Sequence, residues 1–166
     1  MPEQETIERA RQDKAEGKAP TTQAGEFVHQ EIEHVREGKH GARSAKQAIA
    51  IGLSKARRAG IKLPAPRKGR TSAQTRAQAA RDYRKGQGGS SRRPSPKRSR
   101  GVLRVLEREG HEAASHRALS RQVHASARRR GSASRRQAAE RAVRTKGSAG
   151  LAQAARKAAR TRHAHR

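Results

Sequence analysis

Residues 25–63 read GEFVHQEIEHVREGKHGARSAKQAIAIGLSKARRAGIKL. Large apolar side chains recur at helical spacing on both sides of the loop GKHGAR, residues 38–43. Gly38 ends the first run, and Ser44 followed by Gln47 has the spacing of a capping box at the start of the second. Gly60 ends the second run. The stretch therefore predicts a hairpin of two helices, one over 23–37 with Thr21 or Thr22 as its cap, the other over 45–59.

The predicted core is small and belongs to this hairpin. Gly52 lies on the apolar face of the second helix, where the absence of a side chain favours a close approach of the first helix. No second core is expected elsewhere. The core residues are Phe27, Val28, Ile32, Val35, Ile49, Leu53 and Ile61.

The composition limits what the rest of the chain can bury. Only 31% of the 166 residues are apolar and most of these are alanine, which removes little surface from water. We expect an all-α protein, in which a small helical hairpin core carries Ala/Arg-rich helical, partly disordered basic extensions. The expected segments are an acidic helix and linker (1–22), the hairpin (23–63), a basic helix and Pro/Ser/Arg linker (64–101, with helix over 71–85) and a basic tail (102–166).

The tail contains a repeat of sixteen residues. Residues 131–146 read GSASRRQAAERAVRTK and residues 147–162 read GSAGLAQAARKAARTR, with nine identical positions. Each unit begins with Gly-Ser and continues as about three turns of alanine- and arginine-rich sequence. The repeat predicts two short helices separated by a break at the glycine, marginal on their own because neighbouring arginines repel.

The charge indicates the class of partner. Residues 1–37 carry a net charge of −4 and residues 38–166 carry +31. So basic a chain is expected to bind a polyanion, and we predict DNA, with RNA as the alternative. There is no cysteine, and neither a signal peptide nor an apolar run long enough for a bilayer is visible. We expect a cytoplasmic, nucleoid-associated protein with neither a membrane partner nor a small-molecule substrate.

The predicted contacts to nucleic acid are cations around the loop, at the end of the second hairpin helix and along the tail. The loop precedes a helix start, whose free backbone donors favour an anion. Ser95-Pro96-Lys97-Arg98 is similar to the Ser-Pro-basic-basic turns of linker-histone tails. The candidate residues are Lys39, His40, Arg43, Lys46, Lys55, Arg57, Arg58, Lys62, Arg92, Arg93, Lys97, Arg98, Arg128, Arg129, Arg130, Arg135, Arg136, Arg156 and Lys157.

The sequence offers no pattern typical of an enzyme, so we predict no catalytic residue, no cofactor and no metal. The eight histidines are scattered, and there is no thiolate to help them hold an ion. Glu31, Glu33, Glu37 and His34 are interpreted as the solvated polar side of a short helix rather than an acid–base set.

The segment 25–64, above all GKHGARSAKQAIAIGLSKARRAG, resembles a small bacterial domain of unknown function. That domain occurs in short, very basic proteins labelled DNA-binding or plasmid stabilisation protein. The resemblance implies DNA binding and a part in plasmid maintenance, without an established mechanism. The tail is similar in composition to bacterial linker-histone-like proteins. An adaptor in which 25–63 binds a protein partner and the tail acts as a tether is the remaining alternative.

Overall fold

The structure, a computed structural model, describes residues 3–88 and 95–164. As predicted, the fold is all-α, and no strand occurs within these two ranges. The chain divides into two compact units, one up to Ser120 and one from Arg121 onward. The helices are α1 (Gln4–Ala15), α2 (Pro20–Arg36), α3 (Ala45–Arg58), α4 (Ala73–Gly86), α5 (Pro96–Glu107), a short 3₁₀ helix (Glu112–Ala114), α6 (His116–Arg129) and α7 (Gly131–Ala164).

The hairpin of α2 and α3 has the local signals expected of it. The backbone N–H of Gln47 donates to the Ser44 hydroxyl at 3.3 Å, which caps α3. The Gln47 side chain accepts from the backbone of Arg43 instead of completing the box at Ser44. The predicted threonine cap of α2 is wrong, because the helix already begins at Pro20, whose fixed φ suits a first helical position.

Helices α2 and α3 approach each other closely at Gly52, as its position on the apolar face predicts. A Cβ atom built at Gly52 would lie 2.7 Å from Val28 Cα and 2.9 Å from the Phe27 carbonyl oxygen. Both neighbours are backbone atoms, so neither can swing aside. Glycine is therefore required by the packing of the two helices.

Two apolar clusters replace the single core that the sequence predicts. Phe27 and Val35 are both fully buried, but they belong to different clusters. The other five predicted core residues are only half-buried. The first cluster contains Ala10, Ala24, Phe27 and Ala56, flanked by Ile7, Leu53, Ile61 and Leu63. The second contains Val35, Ala42, Ala48, Ala113 and Ala114, flanked by Ile32.

The second cluster depends on a segment far along the chain. Residues 106–114 lie against the loop that joins α2 to α3, where the Gly41 N–H donates to the Leu106 carbonyl at 2.9 Å and the Ala42 N–H to the Gly110 carbonyl at 3.0 Å. A Cβ atom at Gly41 would overlap the Glu109 carbonyl oxygen. We call residues 106–114 the returning segment. Its docking on the hairpin is not predicted by the sequence pattern.

Helix α4 packs on α3 through a buried carboxylate. Asp82 is 3% exposed and accepts a hydrogen bond from the Ser54 hydroxyl at 2.7 Å. The cap of α4 is Ser72, which accepts from the Thr75 N–H at 3.2 Å, so the helix begins two residues later than the predicted start at 71.

The helix α5 begins within the stretch that composition assigns to a linker. Ser95 accepts from the Arg98 N–H at 3.3 Å and Pro96 occupies the first turn, so a cap and a proline together start a helix in otherwise linker-like sequence. The part of the predicted linker at 89–94 lies outside the described residues, as do two candidate cations, Arg92 and Arg93.

In its described part, the unit from Arg121 onward consists of the end of α6, the turn residue Arg130 and α7. Helix α7 is interrupted at Gly147, whose backbone has φ 63° and ψ 177°. Gly131, the first residue of the preceding repeat, also has positive φ. The repeat is thus two helices that each follow a left-handed glycine, as predicted, while partly disordered extensions find little support.

Candidate functional site

Four of the predicted contact residues in and after the hairpin already have partners within the protein. Lys55 Nζ lies 2.5 Å from Oε2 of the fully buried Glu31. The Arg57 guanidinium is 6% exposed and donates through Nε to the Leu63 carbonyl at 3.1 Å, and burial lowers its pKa. Arg58 donates to the Ser54 hydroxyl and lies 3.7 Å from Asp82. His40 is turned inward, toward Glu31.

Lys39 is exposed but faces acidic neighbours. Its Nζ lies 3.0 Å from Glu37 and 3.3 Å from Glu3, and hydrogen bonds to these carboxylates, first Glu37, raise its pKa. Glu3 also lies 2.9 Å from His34 Nε2, and hydrogen bonds from His34 and Lys39 lower the pKa of Glu3 to about 2. The acidic end of α1 therefore occupies the side of the loop that the sequence assigns to a phosphate.

The loop itself is less open than its sequence indicates. The N–H groups of Gly41 and Ala42 donate to the returning segment, and the Gln47 N–H is taken by the Ser44 cap. Arg43 and Lys46 remain exposed, and neither forms an ion pair with another described residue. Phosphate binding at this loop stays a prediction, and Arg43 and Lys46 are the loop cations most available for it.

The remaining candidates are exposed and lie on the later helices. Lys62 follows α3, Lys97 and Arg98 lie in the first turn of α5, and two arginines end α6 with a third directly after it. The tail candidates lie along consecutive helices, and two of them, Arg156 and Lys157, line the same open hollow on the surface of α7. Those in the tail are Arg128, Arg129, Arg130, Arg135, Arg136, Arg156 and Lys157.

Ion pairing divides the chain sharply. Every ion pair found within 3–88 and 95–164 joins residues no later than Asp82. Residues 121–164 contain thirteen Lys or Arg and a single acidic residue, Glu140. The positive charge of the tail therefore has no internal counterion among the described residues.

The interpretation of Glu31 and His34 as part of a solvated polar face is wrong. Glu31 is 0% exposed and His34 is 9% exposed. One ring nitrogen each of His34 and His40 and one carboxylate oxygen of Glu31 lie within 4.8 Å of one another. The signal that sequence reasoning missed is the spacing: Glu31 and His34 are one helical turn apart, and His40 follows in the loop.

Comparison with known proteins reaches only part of the chain. Residues 13–68 match the model of a family described as Family of unknown function (DUF6496). This agrees with the resemblance to a domain of unknown function and contains α2, the loop and α3, whereas the basic tail lies outside it. No curated protein and no solved structure matches the chain. Among the described residues, no helix combines the length and apolar character that crossing a bilayer requires.

Proposed function

We propose that the protein is a non-enzymatic DNA-binding protein that neutralises backbone phosphates with little dependence on base sequence. The observation that carries the proposal is the unpaired charge of α6 and α7, thirteen cations against one carboxylate in residues 121–164. When such cations contact the phosphates of a polyanion, they release the counterions condensed on it, and this release favours binding.

The shape of the tail suits a linear polyanion. Each sixteen-residue repeat forms a helix roughly 24 Å long, comparable to about seven base pairs of duplex. The glycine break at Gly147 lets the second helix take a direction of its own. Two short basic helices joined in this way can follow a curved phosphate backbone, which one straight protein helix could not.

The lack of aromatic side chains supports phosphate contact over base reading. Phe27 is fully buried, and Tyr83, half-buried on α4, is the other aromatic residue of the chain. Proteins that read unpaired bases usually stack them on exposed aromatic rings. We therefore propose duplex DNA of the nucleoid or of a plasmid as the partner, which is also what the resemblance to plasmid stabilisation proteins implies.

A salt titration of duplex binding tests the proposal. For the full-length protein, the logarithm of the binding constant should fall linearly with the logarithm of salt concentration, and each lost phosphate contact reduces that slope by about 0.9. The double variant Arg135→Gln/Arg136→Gln should therefore lose up to about 1.8 of the slope. Equal binding of scrambled duplexes is expected.

The matched control removes the same charge from α1. Arg11 and Lys14 are both exposed, and neither forms an ion pair with another described residue, so Arg11→Gln/Lys14→Gln should leave the slope unchanged. Equal losses in both double variants would mean that net charge alone drives binding. Failure to bind duplex at low salt would overturn the proposal, and preferential displacement of the duplex by structured RNA would assign the protein to RNA.

A further inference from the structure

Glu31, His34 and His40 bring a metal-binding set of side chains together in a buried place. Glu31 and His34 belong to α2, and His40 belongs to the loop that follows it. The side chain of His40 is 12% exposed, so all three groups are close to nine-tenths buried or more. No other group of three such side chains with this proximity occurs in the described parts of the chain.

The carboxylate of Glu31 is only half satisfied. Its Oε2 accepts from Lys55, but its Oε1 is buried and receives no hydrogen bond from any described residue. An unpaired oxygen on a buried carboxylate is costly, because it has lost its water without gaining a donor. His40 Nε2 lies 3.3 Å from Glu31 Oε1 but does not form a hydrogen bond with it.

The orientation of His40 makes this contact informative. Its Nδ1 lies 3.1 Å from the Gly41 carbonyl oxygen, which can only accept, so Nδ1 donates there and Nε2 is the nitrogen with a lone pair in the neutral tautomer that binds metal ions. The lone pair of Nε2 then lies beside the free oxygen of Glu31. Two ligand atoms bound at about 2.0–2.1 Å to a tetrahedral ion are roughly 3.3 Å apart, so the 3.3 Å separation fits a shared cation.

The surroundings resemble the outer ligands of metal sites. Metal-bound histidines usually give their second nitrogen to a backbone carbonyl or a carboxylate, as His40 does to Gly41. His34 has a carboxylate beside its ring, with Nε2 2.9 Å from Glu3 Oε1. Lys55 holds the other oxygen of Glu31, which leaves one carboxylate oxygen for an ion and limits the negative charge.

We infer that Glu31, His34 and His40 form a binding site for a late first-row transition-metal ion such as Zn²⁺. Two imidazoles and one carboxylate oxygen suit Zn²⁺, Co²⁺, Ni²⁺ or Cu²⁺, whereas Ca²⁺ and Mg²⁺ require mostly oxygen ligands. Three protein ligands leave the fourth position of a tetrahedral ion to water. The site joins α2 to the loop, and it is independent of the proposed DNA contacts on α6 and α7.

The test is a titration of the metal-free, full-length protein with Zn²⁺, followed by calorimetry, and with Co²⁺, followed by its visible spectrum. We expect one tight equivalent, a tetrahedral cobalt spectrum and a higher melting temperature in the presence of zinc, because the ion binds only the folded state. His40→Gln and His34→Gln should each weaken that equivalent at least about tenfold to a hundredfold.

The matched controls are His29→Gln on the exposed side of α2 and His124→Gln on α6, which should keep the tight equivalent. Circular dichroism of each variant separates ligand loss from unfolding. Absence of a tight equivalent, or equal weakening by control and site variants, would overturn the inference. A wild-type cobalt spectrum without tetrahedral bands would overturn it even if a site variant failed to fold.

Discussion

The hairpin of α2 and α3 and the tail of residues 121–164 both carry many charged side chains, but the burial and ion pairing of those side chains differ. In the hairpin, Glu31 is fully buried, with Lys55 as its ion-pair partner at Oε2 and His40 Nε2 3.3 Å from its Oε1. In the tail, arginines and lysines are exposed and have no ion-pair partner among the described residues. The difference follows from what each region can bury: Phe27 and Val35 fill the hairpin, whereas the tail offers mainly alanine.

The same types of charged residue therefore have different roles in the two regions of the chain. Charges inside the hairpin are fixed by neighbours and contribute to its geometry, so a mutation there should act on folding. Charges on the tail are balanced by solvent ions and are available for exchange, so a mutation there should act on binding. The following predictions test that division, from the largest effect to the smallest.

Phe27→Ala should lower the free energy of unfolding by about 3–5 kcal/mol, because it removes the largest fully buried side chain of the molecule's described part. Urea denaturation followed by circular dichroism measures the change. The tail counterpart is Val143→Ala, whose side chain is 54% exposed and should cost within about 0.5 kcal/mol. A loss below about 1 kcal/mol for Phe27→Ala would show that the hairpin is not the stabilising core.

The same substitution should have opposite effects at two glycines. Gly52→Ala should destabilise the hairpin by about 1–3 kcal/mol, because the new Cβ meets the backbone of Val28 and Phe27. Gly147→Ala disfavours a backbone conformation that only glycine adopts readily, so a continuous helix through the break gains up to about 1 kcal/mol.

Circular dichroism at 222 nm and thermal melting distinguish the two outcomes. Helicity should rise in Gly147→Ala, and the melting temperature should fall in Gly52→Ala. A fall in helicity for Gly147→Ala would mean that the break is imposed by contacts other than the glycine itself.

Acidification should weaken the hairpin and spare the tail. The pKa of Glu3 is lowered to about 2 by hydrogen bonds, chiefly from His34, so its contribution to stability is complete above its usual pKa near 4.5. That contribution is lost as the pH falls from about 4.5 through 2. Glu3→Gln should therefore show a smaller loss of stability over this range than the wild type.

The tail supplies the comparison for the acid titration, since Glu140 is its single carboxylate. The change is followed by denaturant titrations at each pH, with the exposed Glu8→Gln variant as a control for net charge. An identical pH profile for Glu3→Gln and the wild type would contradict the role given to the Glu3 hydrogen bonds.

The elements that sequence predicts well are those with local signals. Gly38, Ser44 and Gly60 act within one turn of the helix ends they define, and the glycines that open the tail repeats act in the same way. The break between the two repeats needs no tertiary contact, so the sequence pattern alone is sufficient to predict it.

The features that sequence did not predict depend on distant partners. As a charged residue, Glu31 is assigned to the polar face of its helix, and its burial depends on contacts with Lys55 and His40, which lie on other elements. Ala113 and Ala114 have the composition of the tail, and they join a core through distant contacts: the Gly41 and Ala42 N–H groups donate to the returning segment, and Arg36 Nε donates to the Ala114 carbonyl. The inward orientation of candidate contact residues was unpredictable for the same reason.

The returning segment has a consequence for how the protein is made. The hairpin is complete in sequence by Leu63, but the backbone that receives the Gly41 and Ala42 N–H groups begins at Leu106. At about 5–20 residues per second, translation delivers it roughly 2–9 seconds later. During that interval the Gly41 and Ala42 N–H groups of the nascent chain can be satisfied only by water, so this loop completes its structure later than the hairpin it joins.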